Sequence, residues 1–357
     1  MHMPVLQLRS HIPLGSPARR EPVDGRESPL RVVLGFEPAW FHRRLGIDFS
    51  ARWHQDPLYR FECLTRMKAE LHRLFPFVPD WDLSHQEDCA TISGCYGAYV
   101  IPAAFGFPLR YAADRWPVLD ESRAKLTPAE VERLEVESVL SSPFVVDFFT
   151  QMETIAFYWG KIHGYLNWQG VLNNAFHLRG QDLFLDMYDR PDLVHHLLGV
   201  VCEVMIRLAR MVQERQRRSG FAIDQLDVSN CTINMISPAQ YREFVYPYDK
   251  RIAENFMRFG VHTCNWDATP YLPELARLPK VGYIDMGLAT DLALAKRMFP
   301  EARRAVLYSP VRLQEASLTE IEADMTKIWH ELAPCDVVMA DIQAETPDDR
   351  VVALYEI

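Results

Sequence analysis

From residue 221 to 341 short apolar runs alternate with helical patterns, and this alternation limits the possible folds more than any other feature. Strands are expected at 222–229, 260–264, 281–286, 304–308 and 336–341, with helices at 238–258, near 271–278, near 290–298 and at 318–333. Strands separated by helices pair in parallel through right-handed crossovers. Five of them in so short a stretch is over half of an eight-stranded barrel. A doubly wound open sheet is the alternative, but no glycine-rich phosphate loop follows any strand. The expected architecture is α/β: a single (β/α)8 TIM-type barrel over 31–357, preceded by an arm at 1–30. A chain of 357 residues suits one such barrel.

The amino-terminal half is less regular. A strand is expected at 31–36 and a helix at 57–75, with Tyr59, Leu64, Met67, Leu71 and Leu74 on one side. Thr127-Pro128-Ala129-Glu130, Ser237-Pro238-Ala239-Gln240 and Ser317-Leu318-Thr319-Glu320 read as capping boxes. Pro191 opens a long helix to about Arg218 with an apolar stripe through Leu197, Val201, Val204 and Leu208.

Composition removes whole classes of function. A net charge of −10 argues against coating nucleic acid, whose phosphates attract a basic stripe. The triplet Arg215, Arg217 and Arg218 complements a helix end. No apolar run is long enough for a spanning helix, and the start lacks a secretory pattern, so a cytoplasmic location is expected. Seven cysteines at irregular spacing do not make a disulfide framework.

In parallel barrels the chemistry sits at the carboxyl ends of the strands. Those ends collect polar residues here: Asp227 and Asn230 with Cys231; His262 and Cys264 with Trp266 just beyond; Asp285; and Asp341. Residues two apart on a strand share a face, so His262 and Cys264 can offer an imidazole and a thiolate to one zinc ion. A catalytic zinc wants a third protein ligand. Asp341 ranks first for that place and Cys231 second, while Cys335 starts its strand and lies at the wrong end. Tyr165, Asn167, Trp168, Gln169 and Asn174 are candidate substrate contacts, together with Asp227, Asn230, Trp266 and Asp285. The plainer readings stand beside these. A hydrogen-bonded core histidine near a structural cysteine gives the same triplet. Asp285 and Asp341 can be helix N-caps, and Trp168 and Trp266 core aromatics. The pair His195-His196 reads as a surface pair.

Several segments resemble one superfamily. GYLNWQGVLNNAFHLRGQDLFLDMYDRPDLVHHLL (164–198), MISPAQYREFVYPYDKRI (235–252), GVHTCN (260–265) and TPDDRVVAL (346–354), with the stretch around 97–116, are similar to consecutive segments of the uroporphyrinogen decarboxylase superfamily. The resemblance implies an eight-stranded barrel. The stretch 32–46, VVLGFEPAWFHRRLG, lacks the arginine motif with which true uroporphyrinogen decarboxylases bind substrate carboxylates, and Arg43 and Arg44 do not replace it. The sequence more closely resembles the corrinoid-dependent methyltransferase branch. That branch implies catalysis by zinc on His262, Cys264 and a later cysteine, with cobalamin on a partner corrinoid-binding protein. It also implies a small methylated substrate or a thiol or pterin acceptor. The later cysteine is replaced here by Ala340, next to Asp341. This altered ligand set favours the demethylating direction over thiol activation. The rival readings are a decarboxylase of a carboxylated small molecule and a non-catalytic barrel binding a corrinoid or tetrapyrrole.

Overall fold

The computed structural model describes residues 28–78, 81 and 83–357, apart from the side chain of residue 85. The expected arm therefore lies almost wholly outside the described residues. The strands are β1 (Leu30–Phe36), β2 (Leu109–Ala112), β3 (Arg115–Leu119), β4 (Gln225–Ser229), β5 (Arg258–His262), β6 (Val281–Met286), β7 (Arg303–Leu307) and β8 (Cys335–Ile342). Six of them form a parallel sheet in the order β1-β8-β7-β6-β5-β4. Two shorter segments continue the series. Gln169 bridges to Ser229 in parallel, and Thr91 bridges to His163. Eight parallel segments in chain order, with helices between them, make the (β/α)8 barrel. The antiparallel hairpin of β2 and β3 stands apart from it.

Residue parity separates the two sides of the wall. Leu226, Val228, Phe259, Val261, Ile284, Val306, Val337 and Met339 pack outward in the main core. Tyr283, Ala305, Leu307 and Val338 form a smaller cluster that Cys264 and Ala340 join, filling the lumen. The helix Pro191–Arg218 buries Leu197, Val201, Val204, Leu208 and Val212 along one stripe. Each such fully buried side chain contributes about 1.5–3 kcal/mol. At the amino ends of the strands Asp336 accepts bidentate pairs from Arg31 (2.9 and 2.8 Å) and Arg303 (2.7 and 3.1 Å). Near the other end β1 and β8 approach so closely that a Cβ on Gly35 would lie 2.8 Å from the Cα of Ala340.

All three capping boxes form. Other expectations shift for identifiable reasons. The helix expected at 238–258 breaks into Pro238–Gln240, a π-turn at Tyr241–Val245 and Tyr246–Asn255. Pro247 lacks an N–H and its ring clashes with the preceding turn, which the wider turn accommodates. The helix expected near 271–278 shortens to a 3-10 turn at Thr269–Tyr271 and Leu272–Leu275. The strand expected at 260–264 runs instead over 258–262, because Cys264 adopts a left-handed conformation (φ 69°) that no strand residue can hold. His195 is half-buried rather than free at the surface: its ring stacks on Phe244 at 4.9 Å, and Nδ1 lies 3.1 Å from the Tyr248 hydroxyl. His196 alone is exposed. Arg215 lies over Phe149 at 3.7 Å, while Arg217 and Arg218 pair with Glu214.

Candidate metal centre at the barrel mouth

The carboxyl ends of β4 and β5 build the site. Ser229 is in register with His262, and the Asn230 N–H donates to the His262 carbonyl at 2.7 Å. That bond stitches the two strand ends together. It delivers Cys231, at the start of the 3-10 turn Cys231–Met235, beside His262. Cys264 reaches the same place from beyond β5 through its left-handed backbone. Ligand atoms of Cys231, His262 and Cys264 all lie within 4.8 Å of one another. A non-glycine residue in that backbone region costs about 1–3 kcal/mol and persists where its surroundings enforce it. Gly287 supplies part of that enforcement: a Cβ there would meet the Asn265 carbonyl at 2.2 Å, so only glycine lets the 264–266 loop pass.

Asp285 orients the imidazole. His262 Nδ1–H donates to Asp285 Oδ2 at 2.8 Å, and the Tyr283 hydroxyl donates to the same oxygen at 2.8 Å. The Thr263 N–H donates to Oδ1 at 3.2 Å. Asp285 is buried in β6 and is no N-cap. With Nδ1 engaged, Nε2 is the atom left to face the thiols. Burial disfavours the imidazolium, yet the Asp285 carboxylate and Cys231 outweigh it and hold His262 well above the usual histidine range. The Cys231 thiol bonding to Cys264, with help from His262 and against burial, drops Cys264 to about 4. That same bond and burial push Cys231 up. One imidazole and two sulfurs form the soft donor set that zinc prefers, so the residues present fit such an ion.

The ranking of the third donor changes. Asp341 lies near the end of β8, outside the three-residue cluster, and bonds to the Glu37 side chain. Burial and then Asp341 raise Glu37 to about 7, while burial first raises Asp341. Two carboxyls that bond to each other in a buried place disfavour both carrying charge at once. Glu37 was not anticipated from the sequence, although it directly follows β1, where the strand-end rule would have found it.

The candidate substrate contacts divide. Asn167 Oδ1 accepts from Ser229 Oγ and from Gln169 Nε2, both at 3.2 Å, which places Asn167 and Gln169 inside the wall at the level of His262. Tyr165 sits lower, its hydroxyl accepting from the Asp227 N–H. Asp227 is buried and bonded by Gln225 at 3.0 Å. Trp168 faces outward into the core, the opposite parity to Asn167. Asn174 is buried behind the wall, donating to the Gln169 carbonyl at 2.8 Å. Asn230 turns outward to Asp249 Oδ2 at 2.8 Å. Trp266 packs edge-on against Tyr271 at 5.4 Å. Trp168, Asn174 and Asn230 thus support the site rather than line it. Cys335 is buried at the start of β8, as expected.

Residues 88–333, more than half of the chain, match the family described as Uroporphyrinogen decarboxylase (URO-D). The chain belongs to the uroporphyrinogen decarboxylase family. A "Uroporphyrinogen decarboxylase" of Xanthomonas euvesicatoria pv. vesicatoria (strain 85-10) is 38% identical over 71 residues, 20% of this chain. The match spans only 18% of that relative's length. A "methyltransferase from Methanosarcina mazei" superposes with a TM-score of 0.66 at 18% identity, over 93% of both chains. This family member shares that protein's fold. No helix among the described residues is long and apolar enough to cross a membrane.

Proposed function

We propose that this chain is a zinc-dependent methyltransferase that moves a methyl group from a small molecule to the cobalamin of a partner corrinoid protein. The observation that carries the reading is the convergence of Cys231, His262 and Cys264 at the mouth of a uroporphyrinogen decarboxylase-family barrel. Cys231, His262 and Cys264 would hold the ion, and zinc bound there supplies Lewis acidity toward a methylated heteroatom. Asp285 fixes the imidazole tautomer, and the Asp285–Tyr283–Thr263 bonds hold that carboxylate in turn. Demethylation leaves an anion that needs a proton. Burial favours the protonated form of both Glu37 and Asp341 at the same end of the barrel, so either would be placed to supply it, which supports this direction over thiol methylation. The structural likeness to a methyltransferase agrees with the reading. A decarboxylase of polycarboxylates calls for free cations at the mouth, whereas Arg43 pairs with Glu345 and Arg44 with Asp348.

The test is metal analysis joined to a cobalamin assay. Protein purified without chelator should carry stoichiometric zinc. His262→Ala and Cys231→Ala should lose it, and Asp341→Asn should keep it. Methylation of the partner's cobalamin, read from its visible absorbance, should follow the metal. A zinc-free protein whose activity survives His262→Ala would end the proposal. Tight corrinoid binding without any methyl transfer would favour the non-catalytic barrel.

A further inference from the structure

A cavity of about 240 Å³ opens between the 94–97 turn and the β2–β3 hairpin. Tyr99, Trp116, Pro117 and Val118 line it, with the 94–97 turn on one side, and Asn167 links it to the barrel wall. Among the described lining residues none is charged. We infer that this cavity seats a methyl ether carried on a single aromatic ring, and that this ring is the methyl donor's body. The inference rests on the methyltransferase reading and specifies its substrate class.

Size decides first. An engineered apolar cavity of about 150 Å³ takes up benzene, so the present one admits one ring with a substituent or two. A tetrapyrrole, with four linked rings and many carboxylates, is far too large and would find no cation. Surface chemistry decides next. Tyr99 and Trp116 bring aromatic side chains to the lining, and Pro117 and Val118 add apolar bulk. A sugar or polyol would leave most of its hydroxyls unpaired against such walls. A quaternary ammonium would gain from the two aromatic rings, but no carboxylate lines the cavity to complete its recognition.

Position decides last. Asn167 spends Oδ1 on Ser229 and Gln169, so its Nδ2 remains to donate to a ligand oxygen. Ser229 is in register with His262 and two residues before Cys231. An ether oxygen held by Asn167 therefore lies on the side of the ring toward the metal donors. The reaction balances simply. The O–CH3 bond breaks with both electrons on oxygen. The methyl passes to the reduced corrin of the partner, which provides the new electron pair, and the oxygen takes a proton to leave as a phenol.

Calorimetric titration of the purified protein with 2-methoxyphenol, catechol, methanol and tetramethylammonium tests this without any corrinoid partner. Saturable binding of the two arenes is expected, with none for methanol or tetramethylammonium. Val118→Trp should weaken arene binding by about tenfold or more by filling the space. Ala98→Leu serves as the second, smaller obstruction if that variant fails to fold. Arene affinity unchanged in a folded obstructing variant, or tighter binding of tetramethylammonium, overturns the inference. Arene binding without methyl transfer to cobalamin leaves the cavity's ligand class standing and removes the methyltransferase reading. Methyl transfer from methanol with no arene binding does the reverse.

Discussion

His262 and Asp285 lie directly opposite each other on β5 and β6, joined by a 2.8 Å hydrogen bond from Nδ1 to Oδ2. The strand register, rather than a flexible loop, therefore sets the orientation of the proposed zinc-binding imidazole. A rigid strand pair places a ligand more accurately than a loop does.

Asp285→Asn should weaken zinc binding by about 10- to 100-fold, measured by competition with a chromophoric chelator. The substitution preserves volume but removes the negative charge and turns one of the two accepting oxygens into an NH2 donor, so the bonds from His262, Tyr283 and Thr263 cannot all be kept. An unchanged affinity would show that the ring needs no such partner.

Gly287→Ala should act on the same ion from the other side. The new methyl collides with the Asn265 and Trp266 carbonyls, so the loop that presents Cys264 must move. A loss of about 1–3 kcal/mol in stability is expected, together with weaker zinc retention. Thermal melts and metal content equal to the parent's would refute this account of the loop.

Asp249 should make the fold sensitive to pH. Burial pushes its carboxyl up to about 7, against the hydrogen bonds from Tyr241 and Asn230. A folded-state pKa above the unfolded value stabilises the protein below the unfolded value, and the benefit disappears as pH rises through about 7. Between pH 5 and 8 the parent should lose on the order of 2–3 kcal/mol through this group. Asp249→Asn should remove that slope. Parallel denaturation curves for parent and variant at both pH values would contradict it.

The barrel was legible because β4 to β8 alternate cleanly with helices and because inward and outward residues follow a period of two. Thr127, Ser237 and Ser317 marked helix starts through purely local chemistry. What escaped depends on non-local or strained geometry. Cys264 left its strand because its backbone turns left-handed, which apolar patterning does not reveal. Cys231 overtook Asp341 because the Asn230–His262 backbone bond draws two strand ends together. Proximity in sequence groups Trp168 and Asn174 with Asn167, but parity turns Trp168 outward and helix packing hides Asn174. Glu37 gives little signal because Pro38 begins a helix immediately after it, so the strand end carries a single polar residue.

The Arg31–Asp336–Arg303 cluster occupies the amino end of the lumen, opposite the Cys231–His262–Cys264 group. Under the proposed chemistry, donor and carrier would therefore both use the mouth. A small donor must enter before a bulky carrier settles over the opening, and the spent molecule can escape only after that carrier departs. Under the proposed chemistry, turnover becomes a fixed queue, in which excess carrier arriving early should act as an inhibitor.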